Sequence, residues 1–293
     1  RRRLFETDQQ GTTMNTQELS RSARRWVGEF LPAYAASQVA HHLTHPRRLE
    51  LRDWEKTGAM AAHRVYFRFG LSGLRWGERG PIVLALHGWE GRATQFRFIA
   101  EALVRRGYRL MALDAPAHGE SPGHVSHPRL FAEALIEVAT EITAEAGAVD
   151  AVIGHSMGAG AAAYALSQGL SVQRAALIAG PSNFEDVVRA AVTHAGLGAR
   201  ATRHTLRQMQ DRTGLAPASL DVAQLARHVE IPSLIVHDHD DAFVDFRHAL
   251  RFMEGLPDAR LHETHGLGHW RVLTDATVVE RVAADSHVRY VVF

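Results

Sequence analysis

The run Gly154-His155-Ser156-Met157-Gly158 is the strongest chemical signal in this sequence. The apolar residues Ala151, Val152 and Ile153 lead into it, and Ala159 and Gly160 follow. Glycine at both ends lets a strand and the next helix pass close together. A sharp strand-to-helix turn then lifts the serine hydroxyl above the sheet. Ser156, supported by Gly154 and Gly158, is therefore a candidate nucleophile for attack on a carbonyl. The chemistry would be hydrolysis or acyl transfer. Short runs of this kind recur by chance, so the motif gains weight only from partners elsewhere in the chain.

A serine hydroxyl needs a base. Histidine suits proton transfer near neutral pH, and a carboxylate must orient it and stabilise its charged form. Two downstream loops carry such groups. His237-Asp238-His239-Asp240-Asp241 follows the apolar segment 232–236. Gly266-Leu267-Gly268-His269-Trp270 follows the segment 260–263. The chain between the loops has room for one helix and one strand. Serine, acid, histidine is the order met where a nucleophilic serine sits at such a strand-to-helix turn. Asp238, Asp240 and Asp241 are all candidates for the acid. The two not used read as loop caps or solvated charge.

With 19 histidines, false candidates matter. His41, His42 and His45 lie at a helix end without an acidic ligand and read as a solvated face. His262, His265 and His269 have a spacing that would suit zinc on a helix, but Gly266 and Gly268 argue for a loop. No metal site is expected. His155 reads as packing beside the serine, His87 as support for its own loop, and His118 as a structural hydrogen-bonding residue. Arg189, Arg200, Arg203, Arg207 and Arg212 read as the polar faces of amphipathic helices. An anionic substrate is the other reading of that cluster.

The elements that must hold these groups alternate. Strands are expected at 64–69, 74–76, 81–86, 108–113, 149–153, 175–179, 232–236 and 260–263. Helices are expected at 18–45, 94–106, 128–146, 158–170 and 246–254, and at the C-terminal end. That pattern predicts an α/β fold with a mostly parallel central sheet and helices on both faces. The candidate residues all fall at carboxyl ends of strands, where ligands bind in such sheets. Residues 182–230 break the alternation with helical patterning alone, so a small helical cap inserted there is expected. Residues 18–293 then form a single domain, and the polar residues 1–17 read as a disordered leader.

Composition agrees. The 293 residues are 46% hydrophobic, enough for one large core. A net charge of +1 suggests neither a nucleic-acid nor a membrane surface. There is no cysteine, so no disulfide, thiolate metal site or cysteine nucleophile is available. Lys56 is the only lysine, and arginine carries the remaining positive charge. No apolar run is long enough for a membrane span, and the basic start lacks the apolar stretch of a secretory signal. A cytoplasmic location is the expectation. The oligomeric state, monomer or homodimer, is left open.

Two further runs, His87-Gly88-Trp89-Glu90-Gly91 and Asp114-Ala115-Pro116-Ala117-His118-Gly119-Glu120-Ser121, complete a resemblance. With the serine run and the two downstream loops, the chain resembles the α/β-hydrolase superfamily, in particular bacterial esterase-like serine hydrolases with a small helical cap. The resemblance covers about residue 82 to the C-terminal helix and implies that fold. It implies Ser156 as nucleophile, His269 as base and Asp241 as acid. The family's acid lies four residues after the histidine at position 237, although Asp238 replaces the family's glycine. The resemblance also implies an oxyanion hole formed by the backbone N–H groups of Met157 and Trp89, with His87 and Gly88 as support. The Trp89 side chain either walls the acyl pocket or packs in the core. The implied substrate is a small-molecule carboxylic ester, and no cofactor is expected. Thioesterase, acyltransferase, peptidase and cofactor-free haloperoxidase activities share the scaffold, and a non-catalytic binding protein is the alternative of another class. Ser156 argues against the branches that use an aspartate nucleophile.

Overall fold

The computed structural model describes residues 26–286 apart from 27 and 52. The expected leader and the start of the expected helix 18–45 lie outside these residues. Eight strands form one sheet: β1 (His63–Tyr66), β2 (Ser72–Trp76), β3 (Ile82–Leu86), β4 (Arg109–Leu113), β5 (Val149–His155), β6 (Arg174–Ile178), β7 (Ser233–Asp238) and β8 (Ala259–Thr264). Their order in space is β1-β2-β4-β3-β5-β6-β7-β8. The pairs β1–β2 and β2–β4 are antiparallel, and all others are parallel.

Parallel strands need helices on both faces, and the side chains show it. Leu84 and Leu86 on β3 and Val152 on β5 join one core with Phe131, Leu135 and Leu166. Val83, Ala85 and Ile153, pointing the other way, join a second core with Phe96, Leu103 and Val282. Each fully buried large side chain contributes about 1.5–3 kcal/mol over its exposed state. The helix Pro128–Ala146 on the first face starts cleanly. His127 caps it through Leu130 N–H, and Pro128 sits in the first turn, where no N–H is needed.

The chain steps from β3 to β4 on one side, then returns to place β5 on the other side of β3. The loops leaving β3 and β5 therefore diverge and open a crevice at their carboxyl ends. His87 follows β3 and Ser156 follows β5.

Between β6 and β7 lie the helices Phe184–His194, Ala199–Thr213 and Val222–Leu225. The segment's ends meet in a bridge between Asn183 and Asp221. Phe184, Val188, Met209, Leu220 and Val222 pack into the same core as Met157. Helix Pro32–His42 lies on this insertion, where Ala35 and Val39 pack with Val192 and Ala201. This contact was not foreseen. The N-terminal helix also differs from the expected continuous 18–45. A bend at Leu31 precedes Pro32, which fits only the first turn of a new helix. Trp26, Phe30 and Leu31 are exposed there. The helix Asp53–Met60 was also not expected.

Candidate active site

Ser156 follows β5 in a strained conformation, with φ 54° and ψ −123°. A non-glycine residue held in such a region costs on the order of 1–3 kcal/mol and persists only where its surroundings fix it. Here the Ser156 N–H donates to the Ile178 carbonyl at 2.8 Å. The helix Met157–Ser167 leaves at once. The tight turn explains both glycines. A Cβ on Gly158 would lie 2.1 Å from the Leu86 carbonyl oxygen, and one on Gly154 would lie 2.5 Å from the Ala159 Cα.

The Ser156 hydroxyl lies 2.9 Å from His269 Nε2. His269 Nδ1 lies 2.7 Å from Asp241 Oδ2. A carboxylate only accepts, so Nδ1–H donates to Asp241 and Nε2 is free to accept from the serine. Burial would raise the Asp241 carboxyl. The hydrogen bond and charge of His269, with N–H groups from Val244 and Phe243, outweigh it and hold the group below the usual carboxylate range. Those N–H groups reach Asp241 Oδ1 at 2.9 and 2.8 Å. His269 sits in a one-turn helix, Gly268–Arg271, rather than an open loop.

The other two carboxylates hold the loop that carries His269. Asp238 is fully buried. Its Oδ2 accepts from Thr264 Oγ1 at 2.7 Å and from Leu267 N–H at 2.9 Å, and its Oδ1 accepts from Asp240 N–H. Burial opposes ionisation, but these bonds prevail and hold its pKa at about 2. Asp240 accepts from Gly266 N–H at 2.8 Å.

The loop after β3 reaches the serine. A Cβ on Gly88 would lie 2.7 Å from Ser156 Cβ and 3.2 Å from its Oγ. His87 fixes this loop from below. Its Nδ1–H donates to the Gly88 carbonyl at 2.7 Å, and its Nε2 accepts from Ala115 N–H at 3.0 Å. Burial pushes its pKa down to about 4, so it stays neutral and keeps this tautomer. Gly91 N–H also donates to the Gly88 carbonyl at 3.0 Å, closing a turn over Trp89 and Glu90. The backbone N–H groups of Trp89 and Met157 make no hydrogen bond among the described residues. The Trp89 ring stacks on Phe131 and meets His118 edge-on. Its indole Nε1 is buried without a partner among the described residues.

Beside Met157 a narrow apolar cavity, with about 20 Å³ open to a water-sized sphere, runs along the serine's helix. Gly160, Tyr164, Pro181, Phe184 and Leu220 line it, and no charged side chain does. Phe243, largely exposed, stands with its ring 5.2 Å from that of His269.

Several organising groups were missed in the sequence. Asp114 accepts from Ala93 N–H at 2.7 Å and Glu120 N–H at 3.1 Å, and Gly119 packs against its carboxyl. The Asp-x-x-x-x-Gly-x-Ser spacing at 114–121 was the available signal. A second serine–histidine pair, Ser182 Oγ and His248 Nδ1 at 3.0 Å, is buried at the start of the insertion. Ser182 N–H also reaches His248 Nδ1, so this pair anchors backbone. No group of histidine and acidic residues among the described ones could hold a metal ion. No described helix is long and apolar enough to cross a membrane.

Residues 81–210 match a family model described as alpha/beta hydrolase fold. With the sheet order above, that match shows the α/β-hydrolase fold. A serine hydrolase-like protein of Dictyostelium discoideum is 39% identical over 93 residues, 30% of this chain and 25% of that protein. A 2-hydroxy-6-oxononadienedioate/2-hydroxy-6-oxononatrienedioate hydrolase of Cupriavidus pinatubonensis is 26% identical over 71% of this chain and 87% of its own length. An esterase of Pyrococcus furiosus superposes with a TM-score of 0.62 at 19% identity, covering 83% of this chain and 94% of the esterase. That likeness is one of fold.

Proposed function

We propose that this protein of α/β-hydrolase fold is a serine esterase that cleaves carboxylic esters through an acyl-enzyme. The single observation that carries the reading is the chain of hydrogen bonds from Ser156 through His269 to Asp241, at 2.9 and 2.7 Å. His269 Nε2 takes the serine proton as Oγ attacks the ester carbonyl. Asp241 holds the imidazole in the right tautomer and stabilises its charged form. The N–H groups of Met157 and Trp89 stabilise the oxyanion, each worth ~10²–10³ in rate. His269 then returns its proton to the departing alcohol. Water, activated by the same imidazole, releases the acid.

The helices between β6 and β7 act as the cap. The cavity beneath them is lined by apolar groups, which supports an uncharged acyl chain. The Cupriavidus relative acts, by its name, on dienedioates, and a doubly charged acid finds no cation in this lining.

A fluorophosphonate probe tests the reading. Wild type should label at one site and lose ester hydrolysis as it labels, and Ser156→Ala should do neither. Wild type that resists the probe, or equal labelling of Ser156→Ala, refutes the assignment. A parallel series of esters and thioesters, compared by kcat/KM, fixes the acyl substrate.

A further inference from the structure

We propose that Arg47 is a positioning residue for the oxyanion loop, clamping Glu90 so that the neighbouring Trp89 N–H stays aimed at the carbonyl oxygen that Ser156 attacks. The inference rests on the esterase reading above and on the Trp89 N–H being an oxyanion donor.

Glu90 occupies the third position of the turn closed between Gly88 and Gly91. Its φ is +55°, the left-handed region that favours glycine at this position of such a turn. A glutamate there relaxes unless its side chain is held. Arg47 holds it with three donors. The Arg47 backbone N–H and Nε reach Glu90 Oε1 at 3.1 and 2.8 Å, and a terminal guanidinium nitrogen reaches Oε2 at 2.7 Å. The fork matches both carboxylate oxygens, which fixes orientation as well as distance. The Glu90 side chain is only 11% exposed. Burial would raise its carboxyl, yet the bonds and charge of Arg47 hold it below the usual range. The same guanidinium offsets a negative charge one residue from the proposed oxyanion donor. Left uncompensated, that charge would oppose the transition state.

Arg47 is itself anchored. Arg48 beside it donates to the carbonyls of Gly119, Ser121 and Gly123. The Thr44 carbonyl accepts from Ser126 N–H at 2.9 Å. Toward the cap, Arg212 donates to Thr44 Oγ1 and Gln208 to the Ala33 carbonyl. Residues 44–48 thus form a strap from the inserted helices to the loop that faces Ser156. The Glu90 carboxylate bonds Arg47 and not Ser156, so the strap acts through backbone placement.

The test compares the full-length wild type with Arg47→Ala, Arg47→Lys and the double variant Arg47→Ala/Glu90→Gln. Arg47→Ala should lower kcat roughly tenfold, short of the ~10²–10³ cost of losing a donor outright. KM should stay within about twofold, as expected when an interaction is felt only in the transition state. Affinity for a trifluoromethyl ketone, which forms an oxyanion on the serine, should fall with kcat. Arg47→Lys should be intermediate, because an ammonium cannot make the fork. Removing the uncompensated charge in the double variant should recover part of kcat. A lowered Tm with kcat and ketone affinity unchanged would mean a structural role only and would overturn the clamp. If Arg47→Ala fails to fold, Arg47→Lys and Glu90→Gln decide, and unchanged kcat in both overturns it. A wild type that neither labels with fluorophosphonate nor hydrolyses esters overturns the esterase reading and this inference together. An active wild type with unaffected variants overturns the clamp alone.

Discussion

His155 donates its Nε2–H to the backbone carbonyl of His269, 2.9 Å away. The residue before the proposed nucleophile therefore holds the backbone of the proposed base. A carbonyl only accepts, so the proton is on Nε2. The ring is fully buried, and burial drives its pKa down to about 3, which keeps it neutral. His155→Phe keeps the packing and deletes the tether. We expect kcat to fall ~10–100-fold, since displacements near 1 Å cost up to ~10² in such sites. His155→Gln, which keeps an N–H donor, should recover part. Unchanged ester turnover in His155→Phe would show that the tether does not matter.

Asp238 and Asp241 should separate cleanly. Asp241→Asn leaves His269 without its orienting carboxylate and should lower kcat by up to ~10⁴ with the fold intact. Asp238→Asn weakens the acceptor that the half-buried Thr264 and Leu267 donors share, so the main loss should be in stability, about 1–3 kcal/mol. Urea unfolding and ester turnover, measured on both variants, check this. A larger kcat loss in Asp238→Asn than in Asp241→Asn would reverse the assignment.

Acid should unfold the protein early. His87 and His248 are buried, and burial lowers both to about 4 from an ordinary 6.5. The unfolded chain binds these protons near pH 6.5, and the native state refuses them until about pH 4. Their contribution is fully present above pH 6.5 and is lost as pH falls toward 4. Each accounts for a few kcal/mol at most, because a tenfold change in proton affinity is worth ~1.4 kcal/mol. The Tm should therefore drop steeply between pH 6.5 and 4.5. A flat profile across that window would contradict the neutral, buried state of these rings.

Tyr164 is the bulkiest polar-tipped side chain lining the apolar cavity. Tyr164→Ala should open it and move the preferred acyl chain to greater length. The shift in kcat/KM ratio between a hexanoyl and an acetyl ester should be at least tenfold, the lower end of what one or two methylenes contribute in an apolar pocket. An unchanged ratio would place the acyl group elsewhere.

Much of this arrangement was legible because it is local. The strand, glycine, serine and helix at 149–158 are consecutive, and the loops bearing Asp241 and His269 follow recognisable apolar strands. The choice among Asp238, Asp240 and Asp241 was harder, because all three share one short loop. Only the side-chain directions after β7 assign Asp238 and Asp240 to loop pinning. Arg47 and Glu90 lie 43 residues apart, and in a chain whose cations are nearly all arginine no single one stands out. The contact of Ala35 and Val39 with the inserted helices was hidden for a similar reason. Helical patterning says which face is apolar and not what covers it. The break at Pro32 was written in the sequence, since proline suits a first turn and little else.

Among the described residues the strand β8 pairs with β7 alone, and it is only half-buried along its length. It is the margin of the sheet these residues form, and the segment leaving it bears His269. Sheet margins open more readily than centres, by fluctuations that leave the interior intact. A brief detachment of β8 would carry the imidazole away while Ser156, seated on the central β5, stayed in place. Amide exchange along 259–264 would then report, in real time, how often the molecule has its base in hand.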